Sequence, residues 1–91
     1  MIPGICEETR NRILVSVHAY AYEVKADPLI SDAEFDDLAM EINPDVSTGR
    51  AKEDAFFAEH FDSFSGSWIH AHPDLVGVKR IYNIIKTENN K

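Results

Sequence analysis

The residues with the most chemical potential in this 91-residue chain lie between His18 and Leu38. His18, Tyr20 and Tyr22 precede the stretch Asp27-Pro-Leu-Ile-Ser-Asp-Ala-Glu-Phe-Asp-Asp-Leu (27–38). Aromatic faces attract cations, by roughly 0.5–2 kcal/mol. Carboxylates add Coulomb attraction and accept hydrogen bonds from hydroxyl and amide groups. Asp32 and Asp36 stand one helical turn apart and so share one face of a helix. Much of the stretch also has a purely structural explanation. Capping accounts for Ser31 and Glu34, core packing for Phe35 and Leu38, and the helix dipole for Asp32. Tyr22 and Asp36 have no comparable structural reason.

The remaining reactive side chains form weaker patterns. His70 and His72 make a His-x-His pair, with His60 upstream. A zinc site takes four protein ligands, or three and a water. The plainer reading makes His72 a cap for the following helix and His70 a surface residue, so no metal is expected. Ser65 and Ser67 lack a Gly-x-Ser-x-Gly motif and an ordered acid partner. Glu59 and Asp62 resemble the chance pairings of surface carboxylates. No catalytic residue is assigned and no enzymatic activity is expected. A lone Cys6 forms no internal disulfide, which fits a reducing cytoplasm. The first residues lack the basic and apolar regions of a secretory signal, and no apolar run approaches the roughly 20 residues that span a bilayer.

Four helical segments are expected to position these groups. The first runs from about 8 to 24, with Ile13, Val17, Tyr20 and Val24 as its apolar stripe. Asp27-Pro28 stops it, because the residue before proline avoids helical geometry. The second opens with a Ser31-x-x-Glu34 capping box, with Ile30 and Phe35 placed for a hydrophobic staple. It buries Phe35, Leu38, Ala39 and Ile42 and ends at Asn43-Pro44. The third covers about 52 to 61. A turn-rich, aromatic stretch follows (62–73), read as a loop or a short extended piece. Pro73 suits the first position of a fourth helix. Its stripe is Leu75, Val78, Tyr82 and Ile85, and its Gly77 is read as an allowance for close helix packing. Residues 87–91 are expected to fray. The aromatic run Phe56, Phe57, Phe61, Phe64, Trp68 and Ile69 reads as core, with Trp68 left half exposed beside Gly66. The fold class is therefore all-α: one domain over 1–91, a small bundle of about four helices with an aromatic-rich loop between the third and fourth.

Charge is unevenly spread. The net charge is −7, and Asp27, Asp32, Glu34, Asp36, Asp37, Glu41 and Asp45 fall in a segment (26–49) with no Lys or Arg. Outside it, acids and bases balance. Such a surface repels phosphate backbones, so direct nucleic-acid binding is not expected. The bland reading is a solvated helix face.

The segment from about 12 to 42 resembles the nicotinamide-binding Ia domain at the N-terminus of NAD-dependent DNA ligases. In that family two consecutive helices joined by a short loop carry the aromatic and acidic groups, and the second opens Ile-Ser-Asp-x-Glu-Tyr-Asp-x-Leu. Here it reads Ile30-Ser31-Asp32-Ala33-Glu34-Phe35-Asp36-Asp37-Leu38. The resemblance implies a helical hairpin over about 8–43, extended by helices over about 50–86. It implies that Tyr22 packs on the nicotinamide ring and that Asp32, Phe35 and Asp36 complete a site for nicotinamide mononucleotide or NAD. Phe35 stands where the family has tyrosine, so a hydroxyl donor is lost. Glu23 replaces a tyrosine or histidine, and Ala26 replaces an aspartate. No Lys-x-Asp-Gly adenylylation motif occurs in the chain, so a complete ligase is excluded.

Two function classes follow. One is a non-catalytic module that holds a nicotinamide nucleotide, or keeps only the scaffold. The other is an acidic effector, of the kind expected from a bacteriophage or mobile element. It would dock on a basic host protein through Asp37, Glu41 and Trp68, for instance to inhibit a nucleic-acid-binding defence enzyme.

Overall fold

The computed structural model describes residues 7–62 and 65–89. Cys6 and Phe64 lie outside them, as does the end of the chain from 90 onward. Four α-helices follow in order: α1 (Glu7–Glu23), α2 (Asp32–Met40), α3 (Ala51–His60) and α4 (Leu75–Asn89). A single 3₁₀ turn, Ser67–Ala71, lies between α3 and α4. No strand occurs among the described residues. The radius of gyration is 12.5 Å, against about 12 Å for a compact chain of this length.

The first helix is the centre of the bundle. Glu7 and Glu8 occupy its first turn, where negative charge offsets the helix dipole. It packs against α4, α2 and the 3₁₀ turn. Three neighbours demand more than one apolar stripe, so Val15, Ser16, Val17, Ala19, Tyr20 and Ala21 are all buried. Burying a side chain such as Val17 contributes about 1.5–3 kcal/mol. Val24, the last member of the expected stripe, is instead exposed. The helix ends at Glu23, before Asp27-Pro28, and the chain turns away. Ala26 adopts the left-handed region (φ 50°), and the Asp27 N–H then donates to the Ala21 carbonyl at 2.9 Å. An L-residue in that region is strained by about 1–2 kcal/mol. Ala26→Gly should therefore raise stability by about 0.5–1 kcal/mol after the extra freedom of an unfolded glycine is subtracted. An unchanged or lower urea midpoint would refute this.

The second helix starts as its sequence dictates. The Glu34 N–H donates to Ser31 Oγ at 3.1 Å, and the Ser31 N–H donates to Glu34 Oε1 at 3.2 Å, closing the capping box. Ala39 and Ile42 are buried, and Phe35 and Leu38 pack against the core from its edge. The third helix contributes Phe56 and Phe57, both buried.

The aromatic stretch closes the core rather than looping away from it. Trp68 is only 5% exposed, which corrects the expectation of a half-exposed docking residue. Its ring meets Phe61 at 5.2 Å, Phe57 at 5.6 Å and Phe56 at 6.0 Å. Its indole N–H donates to the Ser65 carbonyl at 2.7 Å, so burial leaves no polar atom stranded.

The fourth helix begins at Leu75, two residues later than Pro73 suggested. Asp74 caps it, its Oδ1 accepting from the Gly77 N–H at 3.1 Å. His72 supports the cap as its sequence position implied, with Nδ1 accepting from the Asp74 N–H at 3.0 Å. A Cβ at Gly77 would collide with the Asp74 carboxylate. The glycine therefore makes room for the cap, not for a neighbouring helix. Val78 and Tyr82 are buried, and Leu75 and Ile85 flank them, as their spacing predicts. The helix continues to Asn89, through the residues expected to fray from 87.

Candidate functional site

The hairpin of α1 and α2 walls an open cleft of about 390 Å³. His18 and Tyr22 stand one turn apart on α1, with Glu23 beside them. Pro28, Leu29 and Ile30 supply the floor from the connecting loop. Asp32, Phe35 and Asp36 face in from α2. Ser65 and Gly66 form the remaining wall. The structure thus brings Tyr22, Asp32, Phe35 and Asp36, named from two separate helices, to one concavity. Tyr22 is 55% exposed, so its ring is accessible. Phe35 is half-buried. It packs against the core and also lines the cleft.

Seven positions in the cleft lining were not assigned from the sequence, His18, Ser65 and Gly66 among them. His18 had a local signal, its one-turn spacing from Tyr22 on the same helix face. Ser65 and Gly66 had none, because they arrive from beyond α3. A Cβ at Gly66 would lie 3.3 Å from Glu23 Cγ and 3.6 Å from Ala19 Cβ. The segment therefore approaches α1 closely here, and a side chain would require Glu23 to shift by a small amount.

The connecting loop is tied down from outside the hairpin. Asp27 pairs with Lys86 on α4 and accepts from the Tyr82 hydroxyl at 3.3 Å. One of the seven acids of the 26–49 segment thus finds its cation in the fourth helix. Asp37 on α2 and Glu41 at its C-cap stay exposed, as a docking face requires. Trp68, the aromatic partner assigned to that face, is in the core.

His18 has an unusual environment. Its Nδ1 is buried without a hydrogen-bond partner. Burial pushes its pKa below the ordinary value of 6.5, and nearby Glu34 pulls the other way. Burial lowers His72 in the same direction, against the pull of Asp74 and Glu53. Both imidazoles bind protons more readily in the unfolded chain. Stability therefore rises with pH through this window, and is lost as pH falls below about 6.5. Protonation of His72 also removes the acceptor of the Asp74 N–H. Glu34 and Asp54 are held low, by the Ser31 N–H and the Thr48 hydroxyl respectively. Their contribution is present above the usual carboxylate range and disappears only under stronger acid. We expect the urea midpoint, taken in high salt to screen the net charge, to fall between about pH 7.5 and about pH 5.5. A flat midpoint over that interval would contradict this account.

Among the described residues no three His, Cys, Asp or Glu side chains converge on a metal-sized site. His60 stacks on Phe56 at 5.5 Å, while His70 is exposed on the 3₁₀ turn. No described helix is long and apolar enough to cross a membrane.

The fold and cleft define a small all-α domain with an acidic, aromatic-lined concavity. No protein-family model matches the chain, and no curated protein and no solved structure is significantly similar to it.

Proposed function

We propose that this domain is a non-catalytic binding module that holds the nicotinamide mononucleotide half of NAD between α1 and α2. The supporting observation is that Tyr22, Asp32, Phe35 and Asp36 line one cleft. These are the positions that the likeness to the ligase Ia domain assigns to the ligand. The nicotinamide ring of NAD carries a fixed positive charge, which the exposed face of Tyr22 attracts. Asp32 and Asp36 add Coulomb attraction and accept hydrogen bonds from ribose hydroxyls and the carboxamide. A volume of about 390 Å³ lies at the small end of ligand pockets, which run from roughly 300 to 1,000 Å³. That size suits one nucleotide half better than an entire dinucleotide.

This reading takes precedence over docking on a basic protein. Interface energy concentrates in buried aromatic anchors, and the acidic face has lost its aromatic candidate to the core. The experiment is calorimetric titration with nicotinamide mononucleotide and then with NAD. Saturable binding at micromolar to low millimolar concentration supports the module. Neither heat nor a thermal shift at several millimolar would leave only a scaffold.

A further inference from the structure

Resting on the nicotinamide reading, a finer ligand class follows from the charges around the cleft. Three carboxylate residues, Glu23, Asp32 and Asp36, line it, and no lining residue is Lys or Arg. The basic lining residue, His18, is pushed toward its neutral form by burial, against the pull of Glu34. The nearest anion-friendly feature is the N-terminus of α2. Two of its donors are already taken, the Glu34 N–H by Ser31 Oγ and the Ser31 N–H by the Glu34 carboxylate. Asp32 and Glu34 in the first turn add negative charge of their own there, which opposes a further anion.

A phosphate monoester carries about −1.5 to −2 charges at pH 7. In this cleft it meets carboxylates and no cation, so it opposes the attraction that the ring supplies. We infer that the cleft selects the unphosphorylated cation: nicotinamide riboside, and N1-substituted nicotinamides like it, bind ahead of nicotinamide mononucleotide. The same ribose hydroxyls and carboxamide remain available to Asp32 and Asp36. Only the repelled group is removed.

Calorimetry on the full chain with four probes tests this: nicotinamide riboside, nicotinamide mononucleotide, neutral nicotinamide and inorganic phosphate. At low ionic strength the riboside should bind about tenfold more tightly than the mononucleotide, and the gap should shrink to about twofold in high salt. Neutral nicotinamide should bind more weakly than the riboside, and inorganic phosphate should give no heat. Glu23→Gln should narrow the gap between riboside and mononucleotide, because it removes a charge that attracts the first and repels the second. Mononucleotide binding as tight as the riboside, or a gap indifferent to salt, overturns the charge selection and leaves nicotinamide binding standing. Neutral nicotinamide binding as tightly as the riboside overturns cation recognition itself. If none of the nicotinamide probes binds, the selection and the nicotinamide reading fall together.

Discussion

Arg12→Met is expected to lower folding stability by about 3 kcal/mol, the low end of the 3–5 kcal/mol lost when one partner of a buried ion pair is removed. Arg12 is 4% exposed although it is charged. Its guanidinium donates Nε to Glu8 at 2.7 Å and Nη1 to Asp54 at 2.7 Å. Nη2 donates to the carbonyls of Asn43 and Val46 at 3.0 and 2.9 Å. The group also lies 5.1 Å from the centre of the Phe57 ring. Glu8 in turn accepts from the Asn43 N–H, and Asp54 from the N–H and hydroxyl of Thr48. One side chain therefore joins α1, the loop over 43–48 and α3. Methionine keeps much of the stem's packing but leaves the Glu8 and Asp54 carboxylates without their shared cation and two carbonyls without their donor. Asp54 keeps some solvent contact, which softens the loss and sets the low end of the range.

The size of that loss matters because the domain is small. At about 0.05–0.15 kcal/mol per residue, a chain of this length has roughly 5–14 kcal/mol in total. Losing about 3 kcal/mol brings the lower part of that range close to unfolding. The urea midpoint of the variant checks this, and a midpoint matching the parent protein's would show that the network is not what holds the loop.

Tyr22→Ala is expected to weaken nicotinamide mononucleotide binding by about tenfold, within the range of a cation–π contact. Tyr22→Phe keeps the ring and should remain within about twofold of the parent. The Tyr22 side chain is more exposed than buried. Substitution there should change stability by no more than about 0.5 kcal/mol. That separation distinguishes a ligand contact from a packing residue. If Tyr22→Ala binds as the parent does, the ring does not contribute to the site.

Much of the architecture is legible locally. The capping box at Ser31 and Glu34 uses groups within three residues of each other, and the α4 stripe follows from helical period alone. The four residues that the ligase resemblance named on α1 and α2 meet in one cleft because a short hairpin brings neighbouring helices together. The start of α4 was misplaced because Asp74 is a better cap than Pro73 is a first residue. Trp68 was misplaced because its burial depends on Phe56, Phe57 and Phe61 from another element.

By itself, then, the sequence determined the helical class and the α2 cap, and its likeness to the ligase domain named four of the residues that line the cleft. All of these rest on interactions within a turn or across one short loop. Only the tertiary structure decided the role of Arg12, the anchoring of Asp27 by Tyr82 and Lys86, and the Ser65–Gly66 wall. Those contacts join residues far apart in the chain, and no local pattern encodes which distant partner a charge or a backbone segment will meet.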